Sequence, residues 1–406
     1  MMLSPTRHSF DLRDPRLQND RYNYYREFRE NDPIHYSSHG YWVLTRYDDC
    51  DTFLRAPGVT ANFTHEEDWV RARGGPNSPV VRSNRRWSFS RDGAEHRQIR
   101  RLLSRGLSPS AIDRMRPRIV QMVNDMIDAM GEGEADLISG LALPLPVAVV
   151  GELLGIPPED AVRCRQWTNT IADVVDPVVT PQMRVRMNRA ATEFEAYVME
   201  QLAERRKNPR DDMLSMLAEP DANGEQMSDE DIVAQVLVMY NAGHETSVNV
   251  IGNGMLALLR NPEQMELVRR EPERLDSGFE ELARYDTALQ IQARRTTLDV
   301  PLGDKVIPAG QIVMVVMGAA HRDPAHYPDP DRFDLTRTTK SLAFGSGPHY
   351  CIAATLGRLE VVLTFREMMR RYSTIELASD DLEWYSHFRF LLGLRQLPLR
   401  LGYAKD

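Results

Sequence analysis

The sequence predicts a mainly α-helical protein with a smaller β region (α+β), and three observations carry that expectation. From Ser228 a helical pattern runs to about Arg260, where Asn261-Pro262 stops it. Between residues 110 and 217, successive helical stretches are broken at 131–133, at Pro157 and Pro158, at Pro177 and at Pro181. Strand-like runs are short: 34–36, 41–45, 289–292, 306–310 and 312–317.

A chain of 406 residues can bury a large core, and no linker or repeat divides it, so one domain over 1–406 is expected. Hydrophobic residues at 42% and charged residues at 27% are ordinary for a globular protein. A net charge of −9 argues against non-specific nucleic-acid binding. The three cysteines, Cys50, Cys164 and Cys351, are too few and scattered for a disulfide framework or a zinc site, which fits a reducing compartment. The start is polar and charged, with no signal or anchor, and no run of about 18 apolar residues occurs. A cytoplasmic protein without a membrane span is expected.

Taken in order, residues 16–31 alternate apolar and charged positions at helical spacing. Two short strands follow, joined by Ser-Ser-His-Gly, and residues 46–54 read as a further helix. From 58 to 91 periodicity collapses into glycine, proline and charges around Phe63, Trp69 and Trp87, a long loop of the kind that is more often functional than structural. His96 and Arg100 are four apart on the next helix and share a face, which alone reads as a solvated basic surface. Residues 174–181 form an apolar, proline-punctuated connection, and 219–227 a surface loop.

The pattern from Ser228 opens with a capping box, Asp231 being its acidic partner, and spans roughly 50 Å. Its centre, YNAGHETSVN, is polar where a core helix should be apolar, and such local conflicts cluster at functional sites. Gly243 lets a flat ligand approach the backbone, and Thr246 can bond back to the preceding turn. Glu245 beside Thr246 sets an acid next to an alcohol, a pair able to relay protons. On an isolated helix the bland reading, a buried hydrogen-bonded patch, would be preferred.

Glu281 and Arg284 are an i, i+3 pair, by itself a trivial salt bridge. Further on, LAFGSGPHYCIAATLGRLE places Cys351 behind a turn containing Gly345 and Gly347 and ahead of a helix that continues over 358–372. The free amides and dipole of a helix start favour a thiolate. A lone cysteine is nonetheless most often a buried structural one. The tail, 390–397, is apolar and turns.

Taken together these segments resemble the cytochrome P450 family. Phe344, Gly347 and Cys351 match its F-x-x-G-x-x-x-C signature, with basic His349 two residues before the cysteine. Ala242 to Ser247 matches A-G-x-[DE]-T-[ST], His96 and Arg100 match H-x-x-x-R, and Glu281 and Arg284 match E-x-x-R. The resemblance covers residues 15 to 400 and implies the family fold, a long central helix over a haem with a cysteine loop beneath it. It implies haem b (iron protoporphyrin IX) with Cys351 as axial ligand, a thiolate that favours O–O cleavage. His96, Arg100, Arg294 and His349 would hold the propionates, and Phe344, Gly345, Ala242, Gly243 and Ala353 would contact the macrocycle. Ala353 stands where the family usually has glycine, and Ala288 where it usually has proline. Glu245 and Thr246 become the proton relay. Glu281, Arg284 and Arg332 become a buried structural trio.

By family position, Phe63, Trp69, Val238, Met239, Ala242, Leu289, Ile291 and Leu391 line a substrate pocket. Residues 58–91 would form its roof, 174–181 a mobile lid, and 390–397 a hairpin entering it. No dinucleotide fingerprint follows a strand, so electrons are expected from a ferredoxin-type partner with an NAD(P)H-dependent reductase. Arg97, Arg101 and Arg105 would offer that partner a basic patch. The implied activity is O2-dependent hydroxylation or epoxidation of a mostly apolar small molecule. Tailoring of a polyketide, peptide or terpenoid by a monomeric bacterial enzyme is the expected setting. Oxidative coupling or peroxide-driven oxidation is the alternative within enzymes. A haem-thiolate sensor without turnover is the alternative outside them, and it has no need of the Glu245–Thr246 pair.

Overall fold

A computed structural model describes residues 9–176, 178–385 and 390–404. The break expected at Pro177 lies outside the described residues. Among them, no helix is long and apolar enough to cross a membrane.

The helix Asp229–Arg260 is the axis of the molecule. Ser228 caps it as the capping-box pattern requires: its Oγ accepts from the Asp231 amide at 3.2 Å and donates to the Asp231 carboxylate at 2.9 Å. Its two halves belong to different apolar cores. Ile232, Val236, Leu237 and Tyr240 pack with the helices Ala161–Ala172 and Pro181–Lys207. Val248, Ile251, Met255 and Leu258 pack with the helices Pro109–Met130 and Ala354–Arg371. Residues 241–247 belong to neither core. The polar centre is therefore the gap between two cores, where side chains answer to a site and not to packing.

Gly243 has a packing reason in addition to the one expected. A Cβ there would lie 2.8 Å from Val150 Cγ2 on the helix Pro144–Leu154, so glycine lets those two helices close on each other.

The β structure is larger than the sequence indicated. A five-stranded sheet runs in the order Ile34–Ser37, Tyr41–Leu44, Ile312–Val315, Gln292–Thr296, Val59–Thr60, with only the second and third strands parallel. The expected strand at 289–292 starts at its end, with Leu289 forming only an isolated bridge to Leu391. Lys305–Ile307 pairs with Val300–Leu302 in a hairpin of its own and does not join the strand at 312. Gly133–Asp136, Pro398–Tyr403 and Tyr372–Leu377 form a three-stranded sheet that the sequence pattern did not reveal.

Residues 58–91 are not irregular. They contain the helices Glu67–Ala72 and Pro79–Asn84, held by Val80, Val81 and Trp87 in the same core as the first half of the long helix.

The buried pair beneath the site needs one correction. Arg284 grips Glu281 through two bonds of 2.5 and 2.8 Å, both side chains being 1% exposed. Arg332 contributes only its backbone carbonyl, while its side chain is exposed near Asp334. The third guanidinium is that of Arg337, 3.4 Å from Glu281 Oε1. Two arginines five residues apart in one loop cannot be ranked from spacing alone, because backbone direction decides which side chain turns inward.

Candidate functional site

The cysteine loop is built from its glycines. Gly347 has φ +70°, and a Cβ there would lie 2.6 Å from the Leu54 carbonyl oxygen. A Gly347→Ala substitution should therefore destabilise the fold by about 1–3 kcal/mol, read in denaturant unfolding, and should loosen the loop around Cys351. The Cys351 amide donates to the Phe344 carbonyl at 2.9 Å, closing the loop, and the Phe344 ring stacks on Phe279. The helix begins at Ala354, three residues beyond the cysteine. The expected lowering of the thiol pKa is overturned. Burial pushes it up, and the backbone bond from Ala353 and the nearby Arg100 charge only partly oppose this.

The four basic groups singled out from sequence do come together. The His96 and His349 rings lie 4.2 Å apart. Arg100 donates to the Tyr350 carbonyl at 2.8 Å, one residue before the cysteine. Arg294 donates to the Gln292 and Ala293 oxygens at 2.7 and 2.9 Å. Burial lowers its pKa to about 10. Burial, then His349 and Arg100, push His96 down to about 4, so its imidazole is neutral near pH 7.

Their hub is a residue the sequence reading missed. Asp92 accepts from His349 Nε2 at 2.9 Å and from the Thr60 hydroxyl at 2.6 Å, and its charge acts on Arg294. Its position just ahead of the helix Gly93–Ser104 was the available signal. The basic patch is smaller than expected, because Arg101 is paired with Asp221 and Glu225 while Arg97 remains exposed.

On the long helix, Val238, Met239, Glu245 and Thr246 are half-buried and Ala242 is exposed, a stripe of accessible positions at i, i+3 and i+4 spacing in the middle of a largely buried element. The Thr246 hydroxyl donates to the Ala242 carbonyl at 3.0 Å, the expected back-bond, and the helix continues through it. Glu245 lines a cavity of about 180 Å³ with Arg165, Asn169, His244 and Tyr385. His244 is buried, with Nδ1 2.7 Å from the Tyr240 carbonyl and Nε2 3.0 Å from the Asn169 side chain. The Tyr385 hydroxyl donates to Asn249 at 2.9 Å. Arg165 and Asn169 form an i, i+4 polar pair readable in retrospect, whereas nothing in the sequence marks Tyr385.

Below Thr246, the Glu360 carboxyl is fully buried and pushed up to about 8 by burial, a hydrogen bond to Ser247 opposing this only in part. Because the folded-state pKa exceeds the unfolded value of about 4.3, ionisation favours the unfolded chain as pH climbs from about 4 to 8. Glu360→Gln should lose this penalty, so its stability relative to the parent should rise across that window by up to a few kcal/mol in unfolding titrations.

Of the pocket candidates, Leu289 and Leu391 meet across their bridge. Phe63 is half-buried. Trp69 packs on the core below it with the Arg73 guanidinium 4.1 Å above its ring. Ile291 is corrected: it is 1% exposed and packs with Phe10, Tyr25 and Phe28 in a separate core, so it faces away from the long helix.

This constellation is that of a haem-dependent oxidoreductase. The family model for cytochrome P450 matches residues 163–400, and the chain belongs to the cytochrome P450 family. Among curated relatives, "Cytochrome P450 107B1" of Saccharopolyspora erythraea is 35% identical over 96% of this chain and 97% of its own length. The "6-deoxyerythronolide B hydroxylase" of the same organism is 32% identical, covering 96% and 98%. Among solved structures, CalO2 superposes with a TM-score of 0.89 at 30% identity, covering 97% and 99%. The chain is a P450 monooxygenase, and membership implies a haem-iron cofactor. The residues present fit that group by their chemistry. One thiol stands beside two imidazoles and two guanidiniums, and Arg294 donates to neutral oxygens only among the described residues.

Proposed function

We propose that this enzyme hydroxylates or epoxidises a mostly apolar secondary metabolite of polyketide type, using haem b. The observation that carries the reading is the accessible stripe of the long helix, which sets Glu245 and Thr246 in the gap between two cores. The names of relatives supply the substrate class: a "Polyketide biosynthesis cytochrome P450 PksS" of Bacillus subtilis and an "Erythromycin C-12 hydroxylase" of Saccharopolyspora erythraea.

Cys351 binds the iron, His96, Arg100, Arg294 and His349 hold the propionates, and Phe344, Gly345 and Ala353 pack against the ring. Haem iron, when bound, supplies the reduction of dioxygen and transfer of one oxygen atom. Glu245 collects protons from the cavity beside Asn169, whose side chain reaches solvent. Thr246 passes them on through its hydroxyl, which can exchange the Ala242 carbonyl for water. Val238, Met239, Leu289 and Leu391 shape an apolar wall, and the segments 58–91 and 174–181 cover the pocket and exclude water. Electrons come from a ferredoxin-type protein docking near Arg97, with its NAD(P)H-dependent reductase, and the enzyme works as a cytoplasmic monomer.

The reading is tested by supplying the holoenzyme with ferredoxin, reductase and a panel of macrolide aglycones under ¹⁸O₂. One labelled oxygen per product is expected, and oxygen taken from water would contradict it. Thr246→Ala should cut the product rate on the order of 10²-fold while NAD(P)H consumption continues. Unchanged product per electron would remove the hydroxyl from the relay.

A further inference from the structure

The two segments that cover the pocket are joined by one side chain that the chemistry leaves unused. Arg73 directly follows the helix Glu67–Ala72, and it is 3% exposed. Its Nε donates to the Val174 carbonyl at 2.5 Å, Nη2 to the Asp176 carbonyl at 2.7 Å, and Nη1 back to the Trp69 carbonyl at 3.0 Å. The Arg73 carbonyl in turn accepts from Asn188 Nδ2 on the helix Pro181–Lys207 at 3.1 Å, and Asn188 Oδ1 accepts from the Val80 amide at 3.1 Å. Gly74 makes this fit, turning the chain at φ +104° where a Cβ would lie 3.2 Å from Ser78 Cβ.

The chemistry of this junction is that of a reversible fastening. All three acceptors of the guanidinium are neutral carbonyls, and the Asp176 carboxylate is turned to the Val178 amide at 2.7 Å instead. A buried cation with no carboxylate partner carries a large desolvation cost, which its charge-assisted bonds offset. When the segments part, water repays what the bonds lose, so opening is cheap in a way that parting an apolar seam is not. Among the described residues of the connection, Val174 is buried in the core and Val179 packs against it, while Val175 and Val178 are exposed. Few buried contacts mark a segment of low local stability.

We propose that Arg73 is the latch between roof and lid of the substrate pocket, and that substrate enters when its guanidinium leaves the Val174 and Asp176 carbonyls. This rests on the reading above that the two segments cover the pocket.

The test compares the parent holoenzyme with Arg73→Met, which keeps the apolar stem, and Arg73→Lys, which keeps the charge but cannot fork across two carbonyls. Hydrogen–deuterium exchange of the amides at 174–180 should rise at least about tenfold in both variants, the loss expected for one charge-assisted bond. Exchange within the helix Asp229–Arg260 should not change. Stopped-flow association of 4-phenylimidazole, a probe that binds haem iron, should accelerate several-fold in parallel. Unchanged exchange at 174–180 overturns the junction, and faster exchange with unchanged association overturns its gating of entry. Should Arg73→Met fail to fold, Arg73→Lys decides by the same two readouts. A protein that takes up neither haem nor probe overturns the site reading instead, and the exchange comparison still decides whether Arg73 fastens the two segments.

Discussion

Cys351→Ser should abolish turnover, with product formation falling by on the order of 10³-fold or more, equivalent to about 4 kcal/mol of barrier. The loop would survive, because its closure uses the Cys351 amide and the Phe344 carbonyl and not the side chain. What disappears is the sulfur, which as a ligand to bound haem iron would favour O–O cleavage. The variant should therefore fold and retain the cluster of His96, Arg100, Arg294 and His349, yet lose the thiolate-type spectrum of its reduced CO complex. A serine variant with that spectrum intact would show that another atom binds the iron.

The second large effect lies away from the chemistry. Arg284→Met should cost about 3–5 kcal/mol in denaturant unfolding, because it leaves the buried Glu281 carboxylate with only the more distant Arg337 guanidinium and frees the carbonyls of His321 and Pro330. The double variant Glu281→Gln with Arg284→Met should recover part of that loss, since it removes a buried charge that has lost its two-bond partner. A single-variant cost below about 1 kcal/mol would mean that water reaches the pair. Arg332→Ala should by contrast be nearly silent, its side chain being exposed.

Much of this arrangement was legible in the chain because it rests on short-range rules. The Ser228 cap, the Gly345–Gly347 turn and the His96/Arg100 spacing each obey local geometry that the fold does not override. The polar stretch at 241–247 announced itself as a conflict, and the structure supplies its cause in the gap between two cores.

What was not legible depends on residues far apart in sequence. Ile291 was placed in the pocket because a strand pattern does not say which face meets which core, and here its side chain belongs with Phe10 and Tyr25. Arg337 was passed over for Arg332 for a similar reason, a turn of the backbone. The three-stranded sheet joins residues near 133, 375 and 400, and such pairing leaves no local trace beyond short apolar runs. The thiol pKa went the other way because burial outweighs a helix terminus that starts three residues later. Asp92, Arg165 and Tyr385 are ordinary surface types until the fold gathers them.

The central claim is that Cys351 binds the haem iron through sulfur. X-ray absorption at the iron edge of the purified holoenzyme reads the bound atom directly. A single sulfur neighbour beside the four porphyrin nitrogens, lost in Cys351→Ser, is the expected result. A fifth nitrogen or oxygen in its place, or sulfur that persists in the serine variant, would contradict it.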